Sequence, residues 1–160
     1  MCDHCGCREF GRLGELHRDH QRILELAWTV AEGHPSGGEE WEAARDELVP
    51  LLRLHAEKEE TGLYPLLIAA GDLGTEQRDG LEEQHRDIHV VIDNAAFDRR
   101  EYYTLAAHID EEEYELFPAA MYAFDDDDWG ALDRAHHAAF HRFGAPHEHG
   151  PAGSDQGART

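Results

Sequence analysis

The chain has 160 residues, 41% of them hydrophobic, and a formal net charge of -21. That length suits one domain with a sizeable core, and the charge argues against a nucleic acid or an anionic membrane as partner, because a like-charged surface repels both. No apolar run approaches the roughly 18 residues that span a bilayer, and no apolar signal core follows the start, so a cytoplasmic location is the default expectation.

Residues 1–11 are polar and hold all three cysteines, Cys2, Cys5 and Cys7. An odd count packed so tightly is no disulfide framework, and the segment reads as an arm. A first helix is expected over residues 12–32, where Leu13, Leu16, His20, Ile23, Ala27 and Val30 follow the spacing of a buried stripe. Gly33 to Gly38 stop it. A second helix is expected over 39–70, with Trp41, Leu48, Leu52, His55, Glu59 and Leu66 on one face and kinks at Pro50 and Pro65. Gly71 to Gly74 close it. The third, over 75–97, carries Leu81, His85, Ile88, Ile92 and Ala95. The fourth, over 100–124, carries Leu105, His108, Glu112, Leu116 and Ala120. Asp125 to Asp128 complement the dipole of a short fifth helix over 129–143. Residues 144–160 are Gly, Pro, His and polar, the composition of a disordered tail. The chain is therefore expected to be all-α. An arm (1–11) precedes an up-down-up-down four-helix bundle with a short C-terminal fifth helix (12–143) and a flexible tail (144–160).

One pattern occurs twice. His55, Glu59, Glu60, Leu63, Tyr64 and Pro65 recur as His108, Glu112, Glu113, Leu116, Phe117 and Pro118. His and the first Glu stand four apart, so on a helix both aim from one face. Matching His20 to His85 puts Ile23 on Ile88, which phases the first helix with the third. Six polar side chains thus occupy places where the stripe calls for Leu or Ile: His20, His55, Glu59, His85, His108 and Glu112. A lone histidine in such a place is commonly a hydrogen-bonded core residue. Two carboxylates and four imidazoles in one layer are different, because buried carboxylates need compensating cations. Two metal ions bridged by the two glutamates supply that charge. Imidazole with carboxylate suits iron first, with manganese or zinc behind it.

These residues resemble the hemerythrin-like family, the HHE cation-binding domain, over about residues 12 to 124. The resemblance implies a four-helix bundle and a non-haem di-iron centre with an oxo or hydroxo bridge, held by those six residues. It also implies binding or turnover of O2, NO or hydrogen peroxide, and, for an enzyme, a peroxide- or NO-detoxifying oxidoreductase. No catalytic residue beyond the metal ligands is expected. The oxygen-carrying branch adds a second histidine four residues on in the third helix, which His89 fits. That branch has H-x4-D on its fourth helix, which puts Glu113 at the corresponding place. His89 and Glu113 are thus candidate extra ligands; His17 competes with His20. Glu60, and Glu113 where it is not a ligand, read as solvated or as supports to a ligand. Cys2, Cys5 and Cys7 resemble the Cys-rich leaders of some bacterial relatives and are a candidate redox or second metal site. They motivate the alternative of an iron or redox sensor, or an iron-handling module, that meets a protein partner through the arm. His136, His137 and His141 read as surface histidines, with a second, weaker metal-binding face as the alternative, and Tyr64, Tyr114, Phe117 and Tyr122 read as core aromatics.

Overall fold

The computed structural model describes residues 11–33 and 38–143. The expectations for Cys2, Cys5, Cys7 and the tail fall outside these residues. Among the described residues there are helices and no strand. The order is α1 (Gly11–Glu32), α2 (Glu39–Lys58), a widened turn (Glu59–Leu63), α3 (Tyr64–Ala70), α4 (Thr75–Asp93), α5 (Arg99–Glu111), a second widened turn (Glu112–Leu116), α6 (Phe117–Ala123) and α7 (Asp126–Phe143). The stretches α2–α3 and α5–α6 each run on as one rod, so four rods form the bundle and α7 lies against its side. Neighbouring rods meet as α1 with α2 and α5, and α4 with α2 and α5.

Local chemistry sets the ends. After α3 the backbone turns left-handed at Gly71 (φ 87°), while Asp72 N–H reaches back to the Leu67 carbonyl at 2.9 Å. Glycine takes that conformation without a Cβ clash. The same closure ends α4 early, at Asp93 rather than at 97. Ala95 adopts φ 52° and Ala96 N–H bonds the Val91 carbonyl at 2.9 Å, so Ala95 leaves the stripe it was expected to extend. Asp98 caps α5 by accepting from Arg100 N–H and Glu101 N–H, and Asp125 caps α7 by accepting from Asp127 N–H and Asp128 N–H. That cap starts α7 three residues ahead of the expected Trp129.

The prolines act differently from the expected kinks. Pro50 stands on the exposed side of α2 and the helix runs through it. Pro65 and Pro118 each follow a widened turn. Tyr64 N–H bonds the carbonyl of Glu59, and Phe117 N–H that of Glu112, five residues back rather than four. A proline has no N–H to continue the ladder and crowds the carbonyl four residues before it, and the widened turn relieves both. The extra residue shifts the helical phase: Leu67, not the expected Leu66, is fully buried. Tyr64 and Phe117 are core aromatics as expected, but Tyr114 (59% exposed) and Tyr122 (94% exposed) are on the surface.

The apolar interior has two parts. Leu13, Leu16, Leu63, Leu67, Leu81 and Leu132 fill one end. Ile23, Val30, Leu48, Ile88, Ile92 and Leu105 fill the other. The polar layer lies between them along the rods. Gly62 lets α7 approach the first widened turn, since a Cβ there would meet Leu132 Cδ1 at 3.0 Å and Ala135 Cβ at 3.1 Å.

Candidate metal centre

The six side chains expected at the stripe positions converge. Each is buried: Glu59 and Glu112 have no exposed surface, and the histidines are 1 to 7% exposed. They form two quartets. His20, His55, Glu59 and Glu112 make one; Glu59, His85, His108 and Glu112 make the other. In each, one nitrogen or oxygen per residue lies within 4.8 Å of all the rest. Both glutamates belong to both quartets, the arrangement that two bridging carboxylates require.

The imidazoles are oriented from behind. His20 Nδ1 lies 3.0 Å from Glu113 Oε1, and His85 Nδ1 lies 2.8 Å from Glu60 Oε1. His108 Nδ1 lies 2.7 Å from Gln84 Oε1, and His55 Nδ1 lies 3.5 Å from Asp19 Oδ2. A carboxylate only accepts, so the ring donates from Nδ1 and turns Nε2 inward. The inward atoms meet one another: His55 Nε2 is 3.1 Å from Glu59 Oε1, His20 Nε2 is 3.3 Å from Glu112 Oε2, and His85 Nε2 is 3.4 Å from Glu59 Oε2. Of these, His20 Nε2, His55 Nε2, both Glu59 oxygens and Glu112 Oε2 are buried with no well-aligned hydrogen bond. Such stranded atoms are rare and costly in a native core. Cations at the two quartets would satisfy them together, so the donor set fits a pair of metal ions.

A model of the hemerythrin HHE cation binding domain matches residues 12–120. The chain belongs to the hemerythrin HHE cation-binding family. No curated protein and no solved structure matches it. Membership agrees with the buried His/Glu cluster in making this a metal-binding protein.

The supporting residues of this hemerythrin domain were only half visible in the sequence. Glu60 and Glu113, the second acids of each repeat, sit in neither quartet and hold the histidine of a neighbouring rod. Glu113 is thus a support to His20 rather than one of the inward acids, and His17 shares it at 2.6 Å. Asp19 and Gln84, each preceding a stripe histidine, do the same for His55 and His108, with no signal in the sequence pattern. Their pairing breaks the internal symmetry, because one is a carboxylate and the other an amide. The imidazoles register the difference. Burial presses all four down. The carboxylates around His20, His55 and His85 outweigh it, and His85 is raised to about 10. For His108, burial wins and the ring stays below its ordinary range. The repeat is also broken at Tyr64, whose hydroxyl donates to Glu112 Oε1 at 2.5 Å where the second copy has Phe117, stacked on His20 at 5.5 Å between ring centres.

A further polar cluster backs the first quartet. Lys58, 1% exposed, lies 2.5 Å from Glu15 Oε1 and 2.8 Å from Asp19 Oδ2, with Phe140 of α7 4.6 Å from its ammonium. His136, expected at the surface, is fully buried with Nδ1 3.4 Å from Glu15 Oε2. His89 is half-buried and in neither quartet. It lines a cavity of about 10 Å³ with His55, His85 and His108, walled otherwise by aliphatic side chains that include Ile23, Leu52, Ile88 and Leu105.

The shifts give a pH signature for metal-free protein. His85 binds its proton more tightly folded than unfolded, so its contribution is complete below 6.5 and is lost as pH rises toward about 10. Burial alone would raise Glu59, but His55, His20 and His85 hold it well below 4.5, so its contribution is lost only in acid. Chelator-treated protein is therefore expected to become less stable from neutral to about pH 10, followed by urea midpoints. Metal-loaded protein should not show that decline, since the imidazoles have surrendered those protons.

Proposed function

We propose that the chain is a non-haem di-iron protein that binds or turns over a small oxidant: O2, NO or hydrogen peroxide. His20 and His55 hold one iron, His85 and His108 the other, and Glu59 with Glu112 bridge them. The observation that carries this reading is the pair of quartets sharing both carboxylates, with their inward atoms stranded, beside a cavity sized for one very small molecule. When bound there, iron supplies the redox change and the open position that such a molecule needs. The chain does the rest. Glu60, Glu113, Asp19 and Gln84 fix the imidazoles by their outer nitrogens. Tyr64, its phenol held protonated by burial and by Glu112 and Glu59, steadies one oxygen of Glu112. The aliphatic wall and the small volume keep larger molecules away from the cavity.

Iron-loaded protein is expected to bind or consume NO or peroxide in stopped-flow measurements. His108→Ala should abolish this, and Cys5→Ser should not. Binding or consumption that survives in His108→Ala, or neither by iron-loaded wild type, would contradict the proposal. If oxidant-dependent binding of another protein depended on Cys5 while small-molecule consumption was absent, the sensor alternative would replace it.

A further inference from the structure

His89 stands one helical turn beyond His85 on α4 and lines the small cavity beside His55, His85 and His108. Its Nδ1 is buried and has no hydrogen-bond partner. The other three imidazoles in that wall are fully committed. Their Nδ1 atoms face Asp19, Glu60 and Gln84, and their Nε2 atoms face the quartets. The remaining lining is aliphatic. A buried ring nitrogen without a partner costs free energy, so its retention calls for a partner. The inward quartets do not supply one, because no His89 atom joins either cluster. The cavity does: at about 10 Å³ it admits roughly one molecule of water size.

We propose that His89 is a ligand-binding residue, donating a hydrogen bond from Nδ1 to the small molecule in the cavity and leaving the cations to the other six side chains. This rests on the di-iron reading of the same site. It assigns the molecule a hydrogen-bond acceptor, a property shared by NO, peroxide and reduced O2. An aliphatic cavity with one donor discriminates poorly by shape, so the donor sets how long an acceptor stays.

Wild type, His89→Leu and His89→Gln are compared after anaerobic loading with ferrous iron, with NO as the probe. Iron content is counted first. NO dissociation is then timed by stopped flow, and the N–O stretch is read by infrared spectroscopy. All three chains are expected to hold two irons. His89→Leu should release NO about 10-fold faster, the effect of one lost hydrogen bond, with a shifted N–O stretch. His89→Gln keeps a donor and should recover most of both. Loss of iron from His89→Leu and His89→Gln alike would make His89 a ligand and overturn the proposal. So would iron-replete variants with unchanged release and an unshifted stretch. Wild type that takes up no iron pair fails at the first count, which overturns the di-iron reading itself and is seen before any variant is compared.

Discussion

Lys58→Met is expected to cost about 3 kcal/mol of folding stability, the effect of removing one partner from a buried charge cluster. The ammonium is almost fully buried between Glu15 and Asp19. Burial would raise the Glu15 carboxyl, yet His136 and Lys58 together hold it far below its ordinary range. Methionine fills the same volume and keeps contact with Phe140, so packing is conserved while two carboxylates lose their counter-charge. Urea unfolding of chelator-treated protein measures the loss. Adding Glu15→Gln to Lys58→Met should recover part of it, because the double variant strands one acid fewer. Equal stability of wild type and Lys58→Met would show that the cluster is solvated in practice. Metal affinity should fall as well, since Asp19 also faces His55.

Glu59→Ala is expected to weaken uptake of both cations by more than about 100-fold, a larger effect than the 10- to 100-fold of removing a supporting residue. Glu59 is one of the two residues through which the quartets are joined: Oε1 lies near His20 and His55, Oε2 near His85. A truncated Glu59 removes a negative charge from each cation position at once. Glu60→Ala removes only the partner behind His85 and should fall within the smaller range. Competition with a chelator of known affinity orders the two variants. Circular dichroism checks that both remain helical.

The inner six residues were legible because each breaks an apolar stripe and because His55, Glu59 and Pro65 recur as His108, Glu112 and Pro118. A polar residue in an apolar register is an energetic anomaly visible without coordinates. The outer residues offered no such anomaly. Asp19, Gln84, Glu60 and Glu113 are polar neighbours of stripe residues, and on a regular helix such neighbours turn toward solvent. They reach the site because a neighbouring rod crosses close by; at the widened turns one acid faces inward and the next reaches the histidine of the adjoining rod. Those turns were only dimly signalled. Pro65 and Pro118 announced a break in the ladder, but a kink and a widened turn look alike in sequence. The misplacing of Leu66 follows from that one-residue shift. Lys58 and His136 were hidden for another reason. Both are buried by α7 settling against Gly62 and α1, and that packing is tertiary. Glu15 and Asp19, four apart on α1, were the faint trace of a cation facing them.

The most direct test of the shared-carboxylate centre is an anaerobic ferrous iron titration of wild type and Glu59→Ala side by side, followed by X-ray absorption on the loaded wild type. Two irons per wild-type chain, an iron–iron distance of roughly 3.5–4 Å, and failure of Glu59→Ala to hold either iron are predicted. One iron per chain, two irons with no such vector, or a Glu59→Ala chain that fills as wild type does would contradict the account.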